Sequence, residues 1–268
     1  MKYVYPVVSR RAGGVSVGIN LNPNNACNWR CIYCQVPDLQ RGGAPGIDLS
    51  LLETELRSLL GQILEGDFMV RRVPEGLRTL HDIALSGNGE PTSAKAFPEV
   101  IQRLGTIYED LGLIKRGVKL VLITNGSLAH RPGVQAGLKT MARLNGEVWF
   151  KFDRATAPGM ALVNDTETTP EQHFSRLKTV AALCPTWLQT CMFQLDGQPP
   201  AEPEIQAYLE LMERCRAEQV PVQGVLLYGL ARPSLQPEAS RLTPVSAAWL
   251  EHLGKDIEAR GFRVIVTP

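Results

Sequence analysis

The chain has 268 residues, of which 44% are hydrophobic, 21% charged and 6% aromatic, and its net charge is +1. That composition belongs to a folded globular protein, excludes a disordered chain, and gives no reason to expect a nucleic-acid-coated or membrane-coated surface. No apolar stretch approaches the roughly 20 residues needed to span a bilayer, and the start MKYVYPVVSRR lacks the apolar core of a signal peptide, so a cytoplasmic protein is expected.

Residues 15–22 (VSVGINLN) alternate like a strand and stop at Pro23. The stretch 49–65 carries leucines at helical spacing, with Asp48 or Ser50 as N-cap. Residues 69–79, with Pro74 and Gly76, read as a loop. Strands are then expected at 81–87, 119–126, 147–153, 187–195 and 220–229, separated by helices at 97–111, 133–144, 170–183 and 203–218. A helix at 245–260 and a strand at 262–268 close a single domain whose core runs from about 15 to 230. Six consecutive βα units imply parallel strands, because each crossover helix returns the chain to the same direction. A doubly wound sheet and a partial barrel both satisfy this α/β pattern. In either, a site forms at the C-terminal ends of the strands.

The polar and glycine-rich segments fall at those ends. After the first strand comes NACNWRCIYC, with Cys27, Cys31 and Cys34 in one loop. In a reducing compartment three such thiols mean metal or catalysis rather than disulfides. Zinc sites usually pair two C-x₂-C knuckles; no second knuckle follows, and the four histidines, His81, His130, His173 and His252, lie far along the chain. Iron–sulfur clusters take thiolates readily. After the second strand comes Gly87-Asn88-Gly89-Glu90-Pro91, where glycine lets backbone approach a ligand and a carboxylate suits an ammonium; an ordinary β–α turn would have the same composition. Thr124, Asn125, Gly126 and Ser127 end the third strand, Lys151 and Asp153 the fourth, Gln194 and Asp196 the fifth, and Tyr228 and Arg232 the sixth. Lys151 and Asp153 share a face by alternation. Cys184, Cys191 and Cys215 are scattered and read as small buried hydrophobes.

The C-x₃-C-x₂-C loop, with Tyr33 before its last cysteine, resembles the signature of the radical S-adenosylmethionine (SAM) superfamily. The stretch SRRAGGVSVGINLNPNNACNWRCIYCQVP, taken with SGNGEPT, is similar to the branch related to the wyosine-base (tRNA imidazoguanosine) synthetases. The resemblance implies a partial (β/α)₆ barrel with a short N-terminal extension and an extra C-terminal strand. It implies a 4Fe-4S cluster ligated by Cys27, Cys31 and Cys34, with SAM on the fourth iron. Tyr33 would lie near the adenine, and Gly87, Asn88, Gly89 and Glu90 would hold the SAM amino group through backbone carbonyls and the Glu90 side chain. Thr124 and Asn125 would reach ribose or methionine, Lys151 the carboxylate, Asp153 the ribose hydroxyls, and Tyr228 substrate or adenine. Arg10 and Arg11 match a feature of the branch. No cysteine precedes Cys27, unlike the wyosine synthetases with their second cluster. The expected activity is reductive cleavage of SAM to a 5′-deoxyadenosyl radical, fed by a flavodoxin- or ferredoxin-like donor. The near-neutral charge favours a small molecule, peptide or protein substrate over RNA. Alternatives are a tRNA-modifying or glycyl-radical-activating enzyme, cleavage of another SAM bond, and a non-enzymatic iron–sulfur or zinc sensor.

Overall fold

The computed structural model describes residues 1–9 and 13–268, so Arg10 and Arg11 lie outside the described residues. One eight-stranded sheet organises the chain: β1 (Val4–Ser9), β2 (Gly14–Ile19), β3 (Leu80–Leu85), β4 (Lys119–Thr124), β5 (Gly146–Lys151), β6 (Thr186–Cys191), β7 (Val222–Tyr228) and β8 (Val264–Thr267). The strands lie in chain order across the sheet. Only β1 and β2 pair antiparallel; every later neighbour is parallel. A doubly wound sheet reverses its strand order at a switch point, and this one never does. Crossovers that always step the same way with the same hand put their helices on one face and curve the sheet. The result is a partial barrel.

Burial shows which face is which. Along β5, Gly146, Val148 and Phe150 are buried while Glu147, Trp149 and Lys151 are half-buried. The buried set joins the main core with residues of α1 (Leu49–Leu64), α3 (Phe97–Asp110), α4 (Pro132–Arg143), α6 (Pro170–Ala181), α7 (Glu202–Ala217) and α8 (Ala247–Glu258). The other set faces the concave side. Helix α1 starts where its cap allows: the Asp48 carboxylate accepts from Leu51 N at 3.0 Å, satisfying one free N–H of the first turn.

Several expectations need correction. The loop at 69–79 contains a short helix, α2 (Phe68–Arg72), and a 3₁₀ turn at Glu75–Leu77. The strand expected over 187–195 breaks at Met192. Its end, Phe193–Leu195, leaves the sheet to pair antiparallel with Leu242–Pro244, and this carries Phe193 into a small apolar cluster with Ile32, Tyr33, Val163 and Cys191. Strand β1 and helix α5 (Ala157–Asn164) were not expected.

Candidate functional site

Five asparagines occur in INLNPNNACN, residues 19–28, and four of them fasten the cysteine loop to the barrel. Asn20 Oδ1 accepts from Asn22 N (2.9 Å) and Asn88 N (3.2 Å). Asn22 Nδ2 donates to the Ala26 carbonyl (2.8 Å) and Ser93 Oγ (3.2 Å). Asn25, left-handed at φ 54°, accepts from Asn88 Nδ2 at 2.6 Å and donates to the Pro37 carbonyl at 3.0 Å. Asn28 donates to Ser127 Oγ (2.7 Å) and accepts from Asn125 Nδ2 (2.9 Å). The far side is held by the segment after β7. Arg30 forks onto Glu238 with two bonds of 2.9 Å and reaches Asp165 at 3.0 Å. Ser234 Oγ donates to the Ile32 carbonyl at 2.7 Å, and Gln236 Nε2 to the Val36 carbonyl at 2.9 Å.

This frame leaves Cys27, Cys31 and Cys34 half-buried with donors aimed at each sulfur. Backbone N–H groups of Trp29 and Glu90 point at Cys27, and those of Val36 and Gln35 at Cys34. Asn164 Nδ2 lies 3.3 Å from Cys31 Sγ. Burial pushes the Cys27 thiol up to about 11 and Cys31 to about 12, and raises Cys34; the Lys151 ammonium opposes this at Cys31 and Cys34. Such thiols ionise when a bound metal supplies positive charge, and the N–H donors then stabilise the sulfurs as ligands. Among the described residues no three His, Cys, Asp or Glu side chains converge on a single metal ion. A polynuclear cluster spreads its thiolates over separate irons, and the donor set fits that group.

The glycine segment packs directly on this loop. Gly87 has φ 141°, and a Cβ there would stand 2.6 Å from Asn20 Oδ1. A Cβ on Gly89 would overlap the Ala26 carbonyl oxygen and sit 2.7 Å from Asn22 Nδ2. Glu90 is 2% exposed, and burial raises its pKa against the pull of its donors. Its carboxylate accepts from Thr92 Oγ1 (2.5 Å), Thr92 N (3.1 Å), Thr124 Oγ1 (2.6 Å) and Asn125 N (2.7 Å). Three of these donors meet Oε1 and one meets Oε2, out of roughly four acceptor positions on a carboxylate. Glu90, Thr124 and Asn125 form a strut between β3 and β4, and all three are buried. Among the described residues the carbonyls of Gly87, Asn88 and Gly89 accept no hydrogen bond, so this segment can offer a ligand its backbone.

Across the barrel mouth, Tyr33 joins the loop to β5. Its hydroxyl donates to Asp153 Oδ2 at 2.6 Å, and its ring lies 5.0 Å below Lys151 Nζ. Asp153 is 2% exposed and also accepts from Asn164 Nδ2 (2.8 Å) and Cys191 N (2.9 Å). Lys151 donates to Tyr228 Oη at 3.2 Å. Burial opposes its charge, but Tyr228, Asp153, Cys31 and Cys191 outweigh burial and hold its pKa well above the ordinary value. No carboxylate forms a salt bridge with it among the described residues.

Other expected residues stay apart. Asp196 is exposed and forked by Arg241 (2.9 and 2.6 Å), and Gln194 bonds Thr243. Arg232 is exposed, its carbonyl receiving Gln35 Nε2 at 3.5 Å. Cys184 and Cys215 lie in the main core, whereas Cys191 faces the barrel mouth. A cavity of about 670 Å³ adjoins the loop, walled in part by Asn28, Trp29, Ser127, His130 and Arg176. Its lining includes no cysteine, Lys151 or Tyr33, so it borders the site without containing it. Sequence reasoning missed Asn28, Arg30 and Asn164. The asparagine-rich composition was the signal for the first; nothing local marks the other two.

No family profile matches the chain. It is 30% identical over 139 residues to a UPF0026 protein of Helicobacter pylori, a match spanning 50% of this chain and 38% of that relative. It therefore spans well under half the length of such relatives. Among solved structures, a radical SAM methyltransferase from Sphaerobacter thermophilus aligns at TM-score 0.60 and 12% identity, over 95% of this chain and 66% of that one. A spore photoproduct lyase aligns at TM-score 0.59 and 10% identity, over 99% and 79%. HydG, a maturase of FeFe hydrogenase, aligns at 0.56 and 13%, over 91% and 48%. This chain shares the partial-barrel fold of these proteins.

Proposed function

We propose that the chain is a radical SAM enzyme. The observation that carries this reading is the cysteine loop itself: three half-buried thiols on one short loop, each met by N–H donors. Cys27, Cys31 and Cys34 would hold a 4Fe-4S cluster, and the chemistry it would supply with SAM bound is one-electron reductive cleavage of the sulfonium to methionine and a hydrogen-abstracting 5′-deoxyadenosyl radical. The protein's part is to hold and shield the reactants. The free carbonyls of Gly87–Gly89 suit an ammonium group. Lys151, held charged and in no salt bridge among the described residues, suits a carboxylate at the same mouth. Tyr33 contributes an aromatic wall fixed by Asp153, and its cluster with Ile32, Val163, Cys191 and Phe193 excludes water on that side.

A flavodoxin- or ferredoxin-like protein is the proposed electron donor, and the net charge of +1 favours a small molecule, peptide or protein substrate over RNA. Membership of the wyosine-related branch rests on the sequence stretches alone. No described helix is long and apolar enough to cross a membrane. The test is anaerobic reconstitution with iron and sulfide, reduction with dithionite, and product analysis with SAM. Equal amounts of 5′-deoxyadenosine and methionine are expected. A cluster that forms but leaves SAM intact would falsify the enzyme reading, and a 3-amino-3-carboxypropyl product would move the cleavage to another SAM bond.

A further inference from the structure

The cavity of about 670 Å³ beside the cysteine loop is used neither by the three cysteines nor by the residues proposed to hold SAM. Sites for small organic ligands run from about 300 to 1,000 Å³, so its size is that of a ligand site. Its charges leave one cation over. Asp165 is taken up by Arg30 at 3.0 Å and by Arg41 at 2.8 Å. Glu167 and His130 are exposed, where water and salt screen them. Arg176 of α6 lines the cavity and is half-buried. It forms no ion pair among the described residues, and its one hydrogen bond runs from Nη1 to Thr168 Oγ1 at 3.1 Å.

That bond places the guanidinium against Thr168, itself part of the cavity lining. The side-on edge, Nε and Nη2, has no partner among the described residues, and neither atom is enclosed. Burial lowers the Arg176 pKa and no carboxylate counters it. A partly desolvated cation without a counter-ion carries a cost that a bound anion relieves. Neutral donors stand beside it. Thr168 Oγ1 accepts from Thr166 Oγ1 and Arg176 Nη1, both at 3.1 Å, which leaves its hydroxyl proton to donate. Gln172 spends Oε1 on the cap of α6, accepting from Thr169 N at 3.2 Å, and its Nε2 has no partner among the described residues. Both stand at the start of α6, whose positive end also favours an anion. A guanidinium edge flanked by such donors matches the oxygens of a carboxylate or phosphate. Leu128 and Ala161 give the same cavity apolar surface.

We infer that this cavity binds a small organic anion, its oxyanion head on Arg176, Thr168 and Gln172 and its body against Leu128 and Ala161. Asn28 and Trp29 line the same cavity, so the occupant bears on the cysteine loop between Cys27 and Cys31. The inference goes beyond the radical SAM reading and does not depend on it. The probes are phenyl phosphate and benzoate, which share a body and differ in head, with phenol as the body without an anion. Binding to the full chain without cluster or SAM is read by calorimetry and by tryptophan fluorescence. Saturable binding of at least one anion is expected, and the tighter one identifies the head as phosphate or carboxylate. Binding should be at least about tenfold weaker for phenol, and for the anion on Arg176→Gln. Arg143→Gln, at an exposed arginine bonded to Thr140, should leave the affinity unchanged. No saturable binding of either anion, phenol binding as tightly, or displacement of the anion by SAM overturns the inference, and none of these needs a variant to fold. Unaltered affinity in Arg176→Gln, or an equal loss in Arg143→Gln, also overturns it. SAM cleavage is scored separately, so failure here and failure of the enzyme reading are distinguishable.

Discussion

Replacing Gly89 by alanine tests how tightly the glycine segment and the cysteine loop are coupled. Gly89 is not among the positive-φ residues, so alanine meets no backbone penalty there and the effect is purely one of contact. The new methyl would overlap the Ala26 carbonyl and stand 2.7 Å from Asn22 Nδ2, separating the Asn22–Ala26 pair that now bonds at 2.8 Å. Overpacking of this kind costs about 1–3 kcal/mol, and the lost hydrogen bond adds about 1 kcal/mol. A total of roughly 2–4 kcal/mol lowers Tm by about 5–10 °C in a chain of this size. Because Ala26 precedes Cys27, the displacement also moves the first ligand. Calorimetric Tm of the apo protein and iron content after reconstitution are the readouts, with Gly46→Ala, which meets nothing within 4 Å, as control. If Gly89→Ala matches the control within 1 °C and takes up the same iron, the close packing deduced here is wrong.

Asn28→Ala removes the bonds to Ser127 and Asn125 and frees the loop from β4. About 1–2 kcal/mol of stability should go, with iron uptake reduced more than Tm, as read by iron assay beside calorimetry. His173, enclosed by Trp29, Phe150 and Phe152, has its pKa lowered from 6.5 to about 4, chiefly by burial. The unfolded chain therefore binds a proton that the fold refuses, so this group's contribution is full above pH 6.5 and is lost as pH falls toward 4. The loss is on the order of 3 kcal/mol; urea titrations across that range should show it, and His173→Phe should flatten the slope. Gly61, inside α1 with open space where its Cβ would be, should gain about 0.5–1 kcal/mol on substitution by alanine, measured as a rise in the urea midpoint.

Periodicity carried most of the fold. Seven strands and six helices were legible because helix-facing and concave-facing residues alternate so regularly, as in β5. What failed were elements whose local pattern is broken. Pro6 interrupts β1, which tolerates it because the strand lies at the sheet edge. Helix α5 carries Pro158 and Gly159 and depends on the Thr156 cap, and with it Asn164 was lost from view. The choice between a doubly wound sheet and a barrel lay in strand order, which no local pattern encodes. The cysteine loop was legible from spacing alone. The orientation of Glu90 was not: a carboxylate after a glycine turn suits a ligand's ammonium, and only the approach of Thr124 and Asn125, more than 30 residues on, turns it into a strut.

The central claim is that Cys27, Cys31 and Cys34 hold a four-iron cluster with one iron left for SAM. Electron paramagnetic resonance of the reconstituted, reduced protein tests it most directly. The account predicts one reduced 4Fe-4S signal whose g-values shift on adding SAM, lost in Cys31→Ala and retained in Cys184→Ala and Cys215→Ala. A signal unmoved by SAM, or a protein that keeps its cluster without Cys31, would contradict it.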